Sequence, residues 1–213
     1  MKIFNMLSFL KVKKLPKIKF YSSYCGHCGY EFETETYPKL CLACDNTTFR
    51  NPIPVAVGLL PFSTDHGTGL LLIKRAIKPF VGGLCFPGGF VDYNESWREA
   101  ISREIYEETN VNTDPNEFSI CSVDSTPDNA RVLIFGMSNK IRTLDELNTY
   151  EETSETSGIA IGLEMDTLVN IRQEELGHDI WDLKRYKTKQ NDKLCFSIHQ
   201  KVYDEWFEKR NKE

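Results

Sequence analysis

No stretch restricts this chain more than Glu95–Thr109, because it has the apolar period of a helix and carries charge on the side that should pack inward. Projected at about 100° per residue, Trp97, Ala100, Ile101 and Ile105 form one stripe, while Glu95, Glu99, Ser102 and Tyr106 point away from it. Glu104 and Glu108 fall on the apolar stripe and Glu107 lies at its edge, so carboxylates at i, i+3 and i+4 converge on one patch. Asn94 or Asp92 is the expected cap at the start of the helix.

Such a patch is costly. Charges on an inward face lose hydration, and three carboxylates near a helix C-terminus repel one another and oppose the macrodipole. Arg103 offsets part of this, and a lysine or arginine from elsewhere could offset more. The projection alone leaves a solvated acidic face open as the plain alternative. The simplest complete compensation is a divalent cation, and an all-oxygen donor set suits Mg²⁺ or Mn²⁺ better than Zn²⁺.

The surroundings read as a mixed α/β chain. After Asn51-Pro52-Ile53-Pro54, Val55–Phe62 reads as a buried strand, Thr64–Gly69 as a turn and Leu70–Arg75 as the hairpin partner. Phe86–Val91 is a glycine-bearing strand or loop that feeds the helix, and Gly158–Leu163 is a later apolar strand. Glu174–Lys184 and Lys193–Lys209 read as amphipathic helices. Their Trp181, Phe196, Ile198, Val202, Trp206 and Phe207 are expected to pack on the sheet. His178 and His199 are read as surface or core residues, and Cys85, Cys121 and Cys195 as buried structural cysteines.

The remaining cysteines form two pairs, Cys25-Gly-His-Cys28 and Cys41-Leu-Ala-Cys44, separated by twelve residues. Two such turns aim four thiolates at one point and complete a tetrahedron around Zn²⁺; a redox dithiol is the alternative. His27 is read as a bystander, and Tyr30–Tyr37 as a strand or hairpin arm. Seven cysteines without a secretory leader point to a reducing cytoplasm rather than a disulfide framework. No apolar run approaches the roughly 20 residues that span a bilayer. The net charge of −5 argues against a protein dominated by nucleic-acid electrostatics, although residues 1–24 hold six lysines and no acid. That leader is read as an extension, with RNA, a membrane surface or a partner as its other uses. The expected division is 1–22 basic extension, 23–52 zinc ribbon and 53–213 catalytic domain.

Gly89, five residues, Glu95, seven residues, then Arg103-Glu104-Ile105-Tyr106-Glu107-Glu108-Thr109-Asn110-Val111 resembles the Nudix box. One position departs: Asn110 stands where the family has glycine. Asn is the best non-glycine occupant of a left-handed position after a helix end, so the box is expected to be intact. The Cys₄ ribbon, the Asn-Pro-x-Pro link, Leu-Leu-x-x-Arg-Ala and Pro-Gly-Gly-Phe extend the likeness to ribbon-bearing, ADP-ribose pyrophosphatase-like Nudix proteins over roughly residues 24–163. The resemblance implies an α/β/α sandwich around a mixed sheet, preceded by a small zinc ribbon. It implies Glu104, Glu107, Glu108 and the Gly89 carbonyl as Mg²⁺ or Mn²⁺ ligands, with Arg103 held by Glu95 and pairing with Glu107. Glu155, and second Glu152, is the candidate for a further acid from a later loop. Lys74 or Arg75, and Arg131, are candidates for substrate phosphates. Pro127, sixteen residues past Val111, matches a feature of ADP-ribose enzymes.

The resemblance implies hydrolysis of a diphosphate linkage in a nucleotide, ADP-ribose or a related nucleotide sugar first and NAD(H) or a capped RNA second. The signature of the NADH-cleaving branch is missing; Ser122–Pro127 stands in its place. A non-catalytic nucleotide sensor or interaction module is the competing class, and a homodimer is expected from the resemblance alone.

Overall fold

The computed structural model describes residues 23–164, 167–173, 181–187 and 194–210, with backbone alone for 164, 167–173 and 181–187. His178 and the lysine-rich leader therefore lie outside the described residues. Contacts divide the chain into two compact units, with the break between Asn51 and Pro52.

The first unit is small. Strands β1 (Lys39–Leu40) and β2 (Thr47–Thr48) form an antiparallel hairpin around the second cysteine turn. Tyr30–Tyr37, expected as a strand or hairpin arm, pairs only at its start, where Glu31 bridges Tyr24 and the Phe32 N–H donates to the Ser23 carbonyl at 2.8 Å. Its alternation has no second sheet face to pack against, and alternation without burial does not hold a strand.

The second unit runs β3 (Ile53–Leu59), β4 (Pro61–Thr64), β5 (Gly67–Arg75), β6 (Leu84–Cys85), β7 (Gly88–Phe90), α1 (Trp97–Thr109), β8 (Phe118–Ser125), β9 (Arg131–Ser138), β10 (Arg142–Thr143), β11 (Thr156–Glu164), β12 (Thr167–Gln173), β13 (Trp181–Lys187) and α2 (Ser197–Arg210). The expected strand Val55–Phe62 is divided at Leu60, and the two halves enter different sheets. One sheet has the order β7-β3-β9-β8, with β3 and β9 parallel. The other has the order β10-β4-β5-β11-β12-β13, with β6 added to β5 and β10 parallel to β4. Of Glu174–Lys184, expected as a helix, residues 174–180 lie outside the described residues, and the rest is corrected: Trp181–Lys187 is a strand paired antiparallel with β12. Hydrogen bonding to β12 decided the matter, which a short mixed pattern could not reveal.

The sandwich is legible in alternating side chains. On one face Ala56, Leu60, Leu71, Ile73, Ile159 and Ile161 pack with Ala100, Ile101 and Ile105 of α1. On the other, Val57, Leu59, Leu70, Leu72 and Ala160 pack with Val202, Tyr203 and Phe207 of α2. Strands buried on both faces read as continuous apolar runs, which is why Val55–Phe62 shows no alternation. The Gly58–Gly136 pair, side by side in the β3–β9 register, lets α1 lie close to the sheet. A Cβ at Gly58 would stand 2.6 Å from Ile105 Cδ1, and one at Gly136 2.5 Å from Ile101 Cδ1.

Among the described residues no helix is long and apolar enough to cross a membrane. Cys121, expected to be buried, is exposed on β8, the edge strand of its sheet, where Ser119 and Ile120 are exposed as well. His199 is a core histidine, Cys85 is buried and Cys195 is half-buried.

Candidate active site

Helix α1 starts two residues later than its sequence suggests. Ser96, not Asn94 or Asp92, is the N-cap, and it forms a capping box with Glu99. The Ser-x-x-Glu spacing was the signal for it. The far end closes at Asn110, which is left-handed at φ 58° and donates its backbone N–H to the Tyr106 carbonyl. The expected substitute for glycine is thus in place. Asn110 also adds what glycine cannot: its Nδ2 donates to the Thr149 carbonyl at 2.7 Å, tying the helix end to the following loop.

Arg103 is the hub of the acidic face. Its Nε and Nη2 donate to the two oxygens of Glu95 at 2.8 and 3.0 Å, a bidentate pair. Nη1 donates to Glu104 at 2.8 Å and to Glu107 at 3.2 Å, and Nη2 also donates to the Phe90 carbonyl at 2.9 Å. One guanidinium therefore joins three carboxylates and the strand before the helix.

The three glutamates expected on the patch differ in environment. The Glu108 side chain is buried, and desolvation pushes its carboxyl up to about 8, reinforced by Glu104 and Glu155 and opposed by the Gly88 N–H and Arg75. Gly88 N–H donates to Glu108 Oε2 at 2.9 Å. Glu104 is partly buried and is raised as well, burial first, with Arg103 opposing. Its carboxylate lies over Gly89, where a Cβ would stand 2.2 Å from Oε1, so any larger residue would displace it. Glu107 is the exposed member, its side chain 56% accessible.

The later loop is fastened to this face. The Thr156 hydroxyl donates to the Glu108 carbonyl at 3.2 Å, and Ala76 N–H donates to the Glu155 carbonyl at 2.7 Å. Glu155 is close enough for its charge to raise both Glu104 and Glu108, whereas Glu152 is felt at Tyr150. Sequence reasoning missed Thr156 and His199. The imidazole Nδ1 of His199 accepts the Phe86 N–H at 3.2 Å, just ahead of Pro87-Gly88-Gly89. Burial lowers His199 to about 3, which keeps it neutral. A lone threonine and a lone histidine carry no sequence pattern, so neither had a signal.

Of the cation candidates, Arg75 acts on Glu108 electrostatically, while its Nε donates to the Pro79 carbonyl at 2.8 Å. Lys74 points the other way along β5 and lies against Gly158. Arg131 sits over the Phe90 ring, 6.0 Å from its centroid. Pro127 is exposed in the turn from Thr126 to Arg131, where Asn129 N–H donates to the Thr126 carbonyl.

Two donor sets emerge. In the first unit Cys25, Cys28, Cys41 and Cys44 place four sulfurs within 4.8 Å of one another, with Sγ–Sγ separations of 3.7 Å for Cys25–Cys44 and 3.6 Å for Cys28–Cys41. A tetrahedron with Zn–S bonds of about 2.3 Å has edges of about 3.8 Å, so the residues fit that ion. His27 is not in the set. In the second unit the oxygens of Glu104, Glu107 and Glu108 with the Gly89 carbonyl are hard donors that fit Mg²⁺ or Mn²⁺. They are not gathered as the sulfurs are: among the described residues the cysteines are the one group of three or more such ligand atoms drawn within 4.8 Å.

The two sheets of the second unit lie between α1 and α2, and the glutamates of α1 face the glycine-bearing β7. The NUDIX domain family model matches residues 52–159, and the chain belongs to that family. The chain is 48% identical over 59 residues to an ADP-ribose pyrophosphatase of Methanocaldococcus jannaschii, covering 28% of this chain and 34% of that protein. It is 29% identical over 90 residues to the NAD-capped RNA hydrolase NudC of Haemophilus influenzae (strain PittGG), covering 41% and 33%. The chain thus spans about a third of the length of these curated relatives. A NUDIX hydrolase from Nitrosomonas europaea shares the fold at a TM-score of 0.55 and 20% identity, over 89% of this chain and 93% of that one.

Proposed function

We propose that this chain is a divalent-metal-dependent Nudix pyrophosphohydrolase acting on the diphosphate linkage of a nucleoside diphosphate derivative, ADP-ribose or a related nucleotide sugar first. The observation that carries the reading is Glu108: a buried carboxyl held toward Gly88 beside a second half-buried acid, a costly arrangement that serves no packing purpose. The M. jannaschii relative, named an ADP-ribose pyrophosphatase, supports the substrate class.

In this reading Glu104, Glu107, Glu108 and the Gly89 carbonyl hold Mg²⁺ or Mn²⁺. A cation held by these residues would polarise the diphosphate and lower the pKa of the attacking water. Arg103 keeps Glu104 and Glu107 in place, with Glu95 fixing the guanidinium. Glu155, on the loop fastened to α1, is the carboxylate that joins the metal ligands or, as general base, takes the proton from water. Arg75 is the cation on the catalytic face, with Arg131 beside Phe90 and Lys74 and Pro127 as outer candidates for substrate contact. The ribbon, residues 23–52, holds structural Zn²⁺ through Cys25, Cys28, Cys41 and Cys44; residues 53–213 form the catalytic domain, and 1–22 a basic extension. The site of action is the cytoplasm, and the substrate is a small nucleotide.

A second reading, an NAD-capped RNA or NAD(H) substrate, is favoured by the likeness to the H. influenzae protein named for that activity. A product assay with ADP-ribose, NADH, NAD and capped RNA, in Mg²⁺ and then Mn²⁺, separates the two. AMP plus ribose 5-phosphate from ADP-ribose is the expected product, with Glu108→Gln slower by on the order of 10³-fold. Cleavage of capped RNA or NADH alone would replace the substrate. Nucleotide binding without any product would replace the enzyme by a sensor.

A further inference from the structure

Cys85 and Cys195 are far apart in sequence and meet in the fold. Cys85 ends β6, and Cys195 lies two residues before α2. The Cys195 N–H donates to the Leu84 carbonyl at 2.8 Å, and the two side chains pack in one apolar cluster. Standard peptide geometry then keeps the two Cα atoms within roughly 6.5 Å, inside the span of about 4.4–6.8 Å that a disulfide bridges. The pair is asymmetric. Cys85 is 2% exposed and Cys195 half-buried, so a small oxidant meets Cys195 first. Cys195 lies against Gly83, where a Cβ would stand 2.7 Å from its own Cβ; a side chain at 83 would push it away from Cys85.

We infer that Cys195 and Cys85 form a redox-modification site, an attacking thiol with its resolving partner, that closes to a disulfide on exposure to a hydroperoxide. The site is independent of the reaction proposed above. The Cys195 thiolate attacks the peroxide: an S–O bond forms, the O–O bond breaks, and hydroxide leaves and is protonated to water. The Cys85 sulfur then attacks the sulfenic sulfur: S–S forms, S–O breaks, and the departing hydroxide leaves as water with the Cys85 proton. Two thiols lose two electrons in all, and one hydroperoxide becomes two waters when it is H₂O₂. The neighbouring Cys85 side chain and the charge of Arg75 pull the Cys195 thiol down against its burial, which favours the attacking form. The ribbon cysteines stand in the other compact unit, and Cys121 is exposed on β8.

Peptide mapping of the zinc-loaded full chain tests this directly. Trypsin separates Ala76–Arg98, Leu194–Lys201 and Glu104–Arg131, so each of the three cysteines falls on its own peptide. After stoichiometric H₂O₂ on the folded protein, a linked Ala76–Arg98/Leu194–Lys201 pair is expected, returned to separate peptides by dithiothreitol. Its unfolding midpoint should rise by several degrees and fall back on reduction, because the link closes a long loop. Cys195→Ser should remove both the linked pair and the shift. The proposal is overturned if Cys195 goes to sulfinic acid with Cys85 still alkylatable, if Cys195 links to Cys121, or if the pair appears only after denaturant is added.

Discussion

The two donor sets solve the same electrostatic problem in opposite ways. The four ribbon sulfurs already stand at tetrahedral spacing, 3.6 and 3.7 Å across two edges. The glutamates of α1 share a face without closing on one point, and Arg103 stands between Glu104 and Glu107. The difference follows from the donors. Thiolates are soft donors that a single Zn²⁺ draws into one small volume. Carboxylates at neutral pH repel unless a cation separates them, and here a guanidinium takes that position on one side while burial suppresses ionisation on the other. A soft site that braces a fold can close tightly on its ion. A hard site that must exchange ions and phosphates is better left open.

The largest effect that could break this comparison is loss of the ribbon metal. Among its described residues the first unit has two strands of two residues each and little apolar packing of its own, so its order should rest on the ion. Structural zinc in such peptides is worth roughly 10–16 kcal/mol. Stripping it with a mercurial should abolish hydrogen-exchange protection across residues 23–51 and leave protection in β3, β5 and β11 intact. Protection in the ribbon that survived metal release would mean that hydrogen bonds, not thiolate coordination, organise it.

What the sequence disclosed tracks this division. The four cysteines and the Glu104–Glu108 patch were legible because each is a local pattern: a knuckle spacing and a helical period. Asn110 was legible because only a left-handed residue can end that helix. The assignments that failed depended on partners distant in the chain. Trp181–Lys187 became a strand because β12 offered an edge, and Cys121 is exposed because β8 is itself the edge strand of its sheet. Thr156 and His199 brace the site through single hydrogen bonds, from 48 and 113 residues away. No spacing rule reaches that far.

A middle-sized effect concerns Glu108 in the metal-free protein. Its carboxyl is raised from 4.5 to about 8 in the folded state, so the native chain holds a proton that the unfolded chain releases. Its contribution is therefore fully present below about 4.5 and is lost as pH rises toward 8. Glu95, lowered first by Arg103, and Glu117, lowered by Ser138, Arg142 and Lys140 against its burial, carry the opposite slope at the acid end. Only a difference curve isolates Glu108. In urea unfolding at pH 5, 7 and 8.5, wild type should lose stability relative to Glu108→Gln by on the order of a few kcal/mol. Millimolar Mg²⁺ or Mn²⁺ should recover most of it at high pH. Parallel curves for the two proteins would mean that Glu108 is ionised without a metal, and the contrast with the thiols would collapse.

The smallest effect sharpens the comparison most. Arg103→Lys keeps one positive charge but gives up the fork that reaches Glu95 with two bonds while Nη1 bridges Glu104 and Glu107. An ammonium can follow one or two of these oxygens, and it cannot also hold the Phe90 carbonyl in the same plane. Because Arg103 acts through the glutamates, the loss should fall on kcat, by roughly 10–100-fold as for other groups that orient metal ligands, with KM nearly unchanged. The apparent requirement for Mg²⁺ should rise with it, since carboxylates freed from the fork must be gathered by the ion alone. Stability should change by about 1 kcal/mol or less, because the guanidinium is partly exposed and its pairs are screened. If kcat and the metal requirement both hold in Arg103→Lys, charge alone spaces the carboxylates. If KM rises instead, Arg103 contacts the substrate, and the open oxygen site is shaped by the ligand rather than by the chain.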